Sequence, residues 1–212
     1  MCHALLRDAS LYALLLTMDH DLAAEARAAG CATCGGILHS ARYPRKPRGG
    51  PDDLGPDYAA RLSFCCAQDG CRRRTTPPSV RYLGRRVYLG AVVVLVTAMA
   101  GGITATRAAQ LREWLGVSVR TLKRWRAWWR ETFVASTFWR GAKGRFMPPV
   151  AVDTLPASLL ERFAGTDERT RLLQTLAFLG PLTTRLAEWV AGSPMGDGDP
   201  QTMRLVRRRS RS

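Results

Sequence analysis

Residues 111–125 read Leu-Arg-Glu-Trp-Leu-Gly-Val-Ser-Val-Arg-Thr-Leu-Lys-Arg-Trp, and this stretch decides the predicted fold. The spacing of its apolar residues and its glycine predict a helix over 107–115, a turn at 116–118 and a second helix over about 119–133. Apolar residues stand before, in and after the turn, where a helix-turn-helix needs them to hold its helices at a steep angle. They are Leu111, Leu115, Val117, Leu122 and Trp125. Arg112 departs from this pattern, because a small residue usually packs at that place.

The second predicted helix has two unlike faces. One face carries the apolar residues Leu122, Trp125, Trp129 and Phe133, which are expected in the core. The opposite face is basic, and Ser118 is a suitable N-cap that leaves the first amides of the helix open to a phosphate or a base edge. Such a helix fits the major groove of DNA, with a solvated basic face on a helical hairpin as the alternative. Its predicted DNA contacts are Ser118, Arg120, Thr121, Lys123, Arg124 and Arg130.

Residues 87–106 contain no charged residue. A helix that is hydrophobic on all sides is typical of a buried position, so this segment is predicted to complete a three-helix core. A membrane span is the alternative, because a hydropathy window would detect the segment and arginines flank it. Gly101, Gly102 and the threonines that follow argue against spanning.

Four of the six cysteines stand in two close pairs. Residues 31–34 read Cys-Ala-Thr-Cys, and Cys71 pairs with Cys66 or Cys65, of which the spacing favours Cys66. Close pairs in a chain without a secretion signal indicate metal ligands before disulfides, and structural zinc takes four such thiolates. Buried thiols or a redox pair are the alternative, and His39 is a less favoured ligand. The predicted zinc ligands are Cys31, Cys34, Cys66 and Cys71.

Around these cysteines, residues 31–82 are predicted to form a zinc ribbon. Side chains alternate with a period of two over 37–43 and 58–64, which is typical of short strands, and prolines and glycines predict a loop between them. So small a region has little core of its own, and a metal would stabilise it. The loop cations predicted to contact phosphates are Arg45, Lys46 and Arg48.

Both ends of the chain are predicted to be helical. Residues 1–30 carry a loose apolar stripe and end at Gly30, with packing or dimerisation as their role. Residues 151–192 form a C-terminal helical segment, in which Pro181 breaks or kinks the last helix. Residues 193–212 form a basic tail that is predicted to be disordered.

The excess of basic over acidic residues indicates which class of partner the protein binds. Lys and Arg number 32 against 17 Asp and Glu, which gives a formal net charge of +15. Such an excess favours a polyanionic partner, and double-stranded DNA fits best; an anionic membrane surface and an arginine-rich composition without a function are the alternatives. Catalytic zinc would need a motif such as H-E-x-x-H, which the chain lacks, so no enzymatic activity is predicted. The apolar residues 11–16 precede no convincing cleavage site, and the cytoplasm is therefore the expected location.

Several motifs together resemble a known group of proteins. They are Cys-x-x-Cys-Gly-Gly at 31–36, Tyr-Pro-Arg-Lys-Pro-Arg-Gly at 43–49, Phe-Cys-Cys at 64–66 with Gly-Cys-Arg at 70–72, and Thr-Pro-Pro-Ser-Val at 76–80. Over about residues 10–185 the chain resembles small bacterial proteins associated with transposable elements, which are similar to transposase N-terminal regions in joining a zinc ribbon to a helix-turn-helix. The resemblance implies recognition of element ends or assistance to a separate transposase. The usual catalytic domain of a transposase does not fit, because only about 80 mostly helical residues follow the predicted helix-turn-helix.

The sequence therefore predicts an α+β, mostly α protein, with a zinc ribbon followed by a three-helix helix-turn-helix domain (83–150) and a helical C-terminal segment. The predicted function is sequence-specific DNA binding without catalysis. Two alternatives stay open: an adaptor that docks a transposase or RNA polymerase, and a protein anchored in a membrane through residues 87–106. A second copy of the chain is a further candidate partner.

Overall fold

The computed structural model describes residues 2–52, 54–83, 87–99 and 104–184, which form an α+β and mostly helical structure. Its α-helices, in chain order, are α1 (Cys2–Arg7), α2 (Ala9–Ala28), α3 (Gly90–Ala98), α4 (Ala105–Leu115), α5 (Val119–Ala127), α6 (Thr137–Ala142), α7 (Ala157–Leu160) and α8 (Glu168–Leu179). A π-helical turn over Trp128–Phe133 extends α5. Short 3-10 turns cover Pro56–Ala59, Lys143–Arg145, Val152–Thr154 and Gly180–Thr183.

Among the described residues, five short strands form two small antiparallel sheets. They are β1 (Leu38–Ser40), β2 (Tyr43–Pro44), β3 (Ala60–Arg61), β4 (Phe64–Cys66) and β5 (Arg74–Thr75). One sheet has the order β1-β4-β5, with Leu38 opposite Cys66, and the other pairs β2 with β3. The short strands predicted for 37–43 and 58–64 are thus present, but each of these segments is divided between the two sheets.

The predicted helix over residues 1–30 is interrupted at Asp8. The Asp8 carboxylate accepts a hydrogen bond from the backbone N–H of Ser10 at 2.9 Å and caps α2. Helix α2 ends just before Gly30, as predicted. Most of the apolar stripe faces the core, where Leu6, Leu11, Tyr12 and Leu15 are buried, whereas Leu14 stays exposed. This stripe packs within the chain.

Helix α3 lies at the centre of the protein. Every residue from Gly90 to Thr97 is buried, and the helix contacts α1, α5 and α8. A single cluster of buried side chains joins it to both ends of the described chain. The apolar segment within 87–106 is therefore used for core packing. Within the described ranges, no helix is both long and apolar enough to cross a membrane.

The C-terminal segment is less continuous than the prediction of a helical pattern over 151–192. Residues 161–167 separate helices α7 and α8. The Asp167 side chain caps α8 by accepting a hydrogen bond from the N–H of Thr170 at 2.8 Å. Helix α8 ends at Leu179, and a 3-10 turn containing Pro181 follows, which agrees with the predicted break. The remaining predictions for 185–192 and for the basic tail lie outside the described residues.

A buried ion pair connects three segments that are distant in sequence. Asp19 of α2 is 1% exposed and Arg81 is fully buried, and the Arg81 Nε donates to Asp19 Oδ2 at 2.8 Å. The same carboxylate accepts from the Ser79 hydroxyl at 2.6 Å and from the Val80 N–H at 2.7 Å. These contacts join α2 to residues 79–81.

The Arg81 guanidinium continues this network on its other side. It donates to the Tyr58 carbonyl at 3.2 Å and to the Ala60 carbonyl at 3.0 Å. Its carbon Cζ lies 4.9 Å from the centre of the Tyr58 ring and 5.2 Å from that of Tyr82. Because both charges are paired and hydrogen-bonded, the pair can be buried, but removing one partner would leave an uncompensated charge in the core.

We therefore expect Asp19→Asn to lower the free energy of unfolding by about 3–5 kcal/mol, measured by denaturant unfolding. The matched control is Asp21→Asn, which changes an exposed aspartate of the same helix and is expected to leave stability close to wild type. Equal stability losses in the two variants would contradict a special role for the buried pair.

Candidate metal centre and basic surface

Four cysteines lie close together beside the three-stranded sheet β1-β4-β5. The Sγ atoms of Cys31, Cys34, Cys66 and Cys71 all lie within 4.8 Å of one another. The Cys31 and Cys71 sulfurs are 3.7 Å apart, and those of Cys34 and Cys66 are 3.4 Å apart. Tetrahedral coordination with metal–sulfur bonds of about 2.3 Å would place sulfurs about 3.8 Å apart, whereas a disulfide needs about 2 Å. The arrangement could therefore hold one metal ion.

Backbone contacts shape the first cysteine pair. The Cys31 N–H donates to the Gly36 carbonyl at 2.9 Å, and the Gly35 N–H donates to the Cys31 carbonyl at 2.7 Å. A side chain at Gly36 would not fit, since a Cβ there would lie 2.7 Å from Gln68 Cγ and 3.2 Å from Cys66 Sγ. The glycine lets the two cysteine pairs approach each other.

Strand pairing shapes the second cysteine pair. Cys66 ends β4 and Cys71 lies in the turn before β5, so the β4–β5 hairpin carries both residues. The Cys66 N–H donates to the Arg73 carbonyl at 2.9 Å, and the Ala67 N–H donates to the Ile37 carbonyl at 2.9 Å. The second of these bonds ties this hairpin to the segment after the first pair.

The geometry favours formation of a thiolate at Cys31. Backbone N–H groups of Thr33 and Cys34 donate hydrogen bonds to its sulfur and lower the pKa of Cys31 to about 6. Thiolates are the form that binds metals, so these donors favour coordination.

The structure distinguishes Cys66 from Cys65 as the cysteine that joins Cys71 in the cluster. Cys66 belongs to the cluster, whereas the neighbouring Cys65 lies on the opposite face of β4, where its thiol is 3.4 Å from the Arg72 carbonyl oxygen. His39 is exposed on β1, opposite Cys65, and is not among the clustered residues. The predicted set of four cysteines is confirmed as a cluster.

Helices α4 and α5 are joined by the three-residue turn 116–118, as predicted. Gly116 adopts a φ of +62°, which an L-residue rarely accepts, and the Ser118 hydroxyl caps α5 by accepting from the Thr121 N–H at 3.2 Å. The five apolar residues predicted to pack around the turn are all buried: Leu111, Leu115, Val117, Leu122 and Trp125. Arg112, which departed from the pattern, is exposed and so does not occupy a packing position.

Helix α5 and the turn that extends it bury their aromatic residues and expose most of their cations, although Arg126 is half-buried and Val119 is exposed. Trp125, Trp129 and Phe133 are buried, and the Trp129 indole donates to the Thr97 hydroxyl of α3 at 3.0 Å. The predicted DNA-contacting residues lie on the other side of the helix. Ser118, Arg120, Lys123, Arg124 and Arg130 are exposed, and Thr121 is half-buried.

The π-helical turn begins at Trp128. The Trp128 ring lies 4.7 Å from the Trp129 ring and 5.5 Å from the Phe133 ring, between ring centres. Trp128 is therefore half-buried against the core. Trp139, which lies beyond this helix, is buried in the same aromatic cluster.

The predicted loop cations differ in their surroundings. Lys46 and Arg48 are exposed. Arg45 is half-buried, and its Cζ lies 5.2 Å from the centre of the Tyr82 ring. Of these three residues, Arg45 is thus the one packed against the protein.

Tyr88 connects this loop to the α4–α5 turn, a contact that no sequence pattern predicted. Its hydroxyl donates to the Gly116 carbonyl at 2.6 Å, and its ring packs edge-on against Trp125 with 5.0 Å between ring centres. Tyr88 also forms a parallel bridge with Arg48. A contact across 28 residues, made by one tyrosine in an apolar run, has no local signature in the sequence.

Comparisons of the chain with family models, curated proteins and solved structures give no match.

Replacement of single cysteines tests the cluster. We expect the full chain to bind one equivalent of Co²⁺ with thiolate-to-metal charge-transfer absorption, and Cys66→Ser to weaken this binding strongly because it removes one of four ligands. The matched control is Cys65→Ser, since Cys65 lies next to Cys66 but outside the cluster. Loss of Co²⁺ binding in Cys65→Ser with retention in Cys66→Ser would contradict the assignment.

Proposed function

We propose that this chain is a sequence-specific, double-stranded DNA-binding protein, with α4–α5 as a helix-turn-helix and the four cysteines as a structural zinc site. One observation carries the proposal: α5 buries an aromatic face and exposes a row of cations opposite it. A helix held rigidly on one side and basic on the other is suited to the major groove.

The position of each exposed residue indicates its role in DNA binding. Arg120, Lys123 and Arg124 reach base edges or nearby phosphates from the exposed face of α5. Ser118 and Thr121 stand at the N-terminus of the helix, where backbone amides and hydroxyls contact phosphate. Arg130 extends the basic row by a further turn. The net charge of +15 supplies attraction that does not depend on the DNA sequence.

The zinc ion has a structural role in this proposal. Four cysteine thiolates match the ligands of structural zinc sites, which have no open position for a substrate. The buried cluster around the cysteines is small and consists of Ala23, Cys31, Leu38, Leu62, Phe64 and Cys66. So small a core adds little stability, and the binding free energy of the metal would supply the rest.

The resemblance of the motifs to transposon-associated proteins supports a biological context. In that context the chain recognises the ends of a mobile element, or regulates it, beside a separate transposase that performs the chemistry. The protein carries no catalytic function of its own in this proposal.

DNA binding is tested with a duplex selected from a randomised pool and with its scrambled version, by fluorescence anisotropy on the full chain. Arg120→Ala and Arg124→Ala are each expected to lose about 1–3 kcal/mol of binding free energy on the selected duplex and less on the scrambled one. The control is Arg140→Ala, an exposed arginine of α6.

Equal losses on both duplexes would contradict base readout by α5. If the wild-type chain binds no duplex even at low salt, the DNA-binding proposal is wrong, and the adaptor prediction becomes the better one.

The metal proposal has a separate test. We expect the chain purified under reducing conditions to contain one zinc per molecule by elemental analysis. Removing it with a chelator is expected to lower the unfolding temperature, because binding to four thiolates stabilises only the folded ribbon. Iron in place of zinc, or an unfolding temperature that does not respond to the chelator, would contradict the structural zinc site.

A further inference from the structure

We propose that DNA is held by one continuous surface, formed by the loop 45–50 together with the α4–α5 turn and the exposed face of α5. We call it the loop–helix surface. This inference rests on the proposed function and extends it, because it gives the protein a second, preformed contact on one flank of the site that α5 reads.

The loop is fixed to the helical part of the protein through its backbone. The Arg48 N–H donates to the Val87 carbonyl at 2.9 Å, and the Leu89 N–H donates to the Arg48 carbonyl at 3.1 Å. These two bonds attach the loop to the residues that lead directly into α3. The exposed Arg48 side chain therefore projects from a paired backbone position.

Close packing at Gly49 fixes the loop further. A Cβ at this position would lie 2.9 Å from Val92 Cγ1 of α3 and 3.4 Å from Tyr88 Cδ1. Gly49 also has a φ of +85°, so both its conformation and its surroundings require glycine. The loop backbone thus rests directly on the central helix. Such preorganisation lowers the entropy lost when a partner binds.

The same segment holds the turn before α5. Tyr88, next to the residues bonded to Arg48, donates its hydroxyl to Gly116 and packs on Trp125. The loop, the turn and the buried face of α5 therefore share one supporting residue. Their relative positions are set by packing rather than by the covalent chain.

A groove of about 540 Å³ is lined by residues of both the loop and the turn. They include Arg48, Gly49 and Gly50 of the loop and Trp114, Leu115 and Gly116 at the turn. Arg48 and the turn thus line the same groove, and Ser118 at the start of α5 follows two residues after Gly116.

This placement defines how a duplex would bind. With α5 in the major groove, an element beside its N-terminal turn meets the sugar–phosphate backbone that borders the groove on that side. Lys46 and Arg48 would contact phosphates there. The protected region on DNA should therefore extend further on one side of the bases read by α5 than on the other.

The test is hydroxyl-radical footprinting of the full-length protein on the duplex selected from the randomised pool, at saturating protein. The double variant Lys46→Ala/Arg48→Ala is expected to keep the protection over the central bases and to lose it on one flank. The slope of log K against log salt concentration should become shallower by about 1.8, since each phosphate contact contributes about 0.9.

The control is the double variant Lys143→Ala/Arg145→Ala, which removes the same charge from two exposed residues after α6. It is expected to keep the full footprint and the wild-type salt slope. Thermal unfolding checks that each variant folds, and Lys46→Gln/Arg48→Gln replaces the alanine pair if that pair lowers the unfolding temperature.

Retention of the flank by the loop variant would overturn the loop–helix surface while leaving DNA binding by α5 intact. An equally shallow salt slope in the control would also overturn it, because the effect would then report net charge alone. If the wild-type protein selects no duplex, the proposed function fails, and this inference fails with it.

Discussion

The buried ion pair of Asp19 and Arg81 joins segments of the chain that are far apart in sequence. Neither charge can remain in the core alone, so α2, the segment before Tyr82 and the backbone after Asp57 must meet at one point. Replacement of such a pair by apolar residues is often neutral for stability. The main effect of this pair is therefore to fix the relative positions of the three segments. The guanidinium can form all of its directional hydrogen bonds in only one arrangement of them.

The helical part and the cysteine-bearing part of the protein, which this pair joins, are stabilised in different ways. The helical part has one extended core, in which the buried helix α3 contacts α5 and α8. The cysteine-bearing part has a small second cluster and very short strands. The first has a large apolar core, whereas the second has four thiols in a geometry that suits a metal ion. Helix α2 belongs to both, since Leu15 lies in one core and Ala23 in the other.

Local patterns predicted the elements that depend on short-range chemistry. The spacing around Gly116 gave the turn and the buried face of α5, and the close cysteine pairs gave the four clustered thiols, including Cys66 in preference to Cys65. The interruption at Asp8 and the π turn over Trp128–Phe133 were not predicted. The first depends on a capping bond that competes with continuing the helix, and the second changes the hydrogen-bond spacing within a predicted helix. DNA binding and zinc remain proposals, supported by charge, exposure and ligand chemistry.

An uncharged apolar segment, a basic amphipathic helix after a glycine turn and two cysteine pairs are all readable from the order of the residues. These features follow from residue spacing, which reflects the helical and strand periods. The contact of Asp19 with Arg81, and the link that Tyr88 makes between the loop at Arg48 and the turn at Gly116, arise only in the folded chain. Such contacts join residues tens of positions apart, and many sequences could satisfy them. The surroundings of Asp19, Arg81 and Tyr88 therefore arise from packing around α3, and no local pattern in the sequence predicts them.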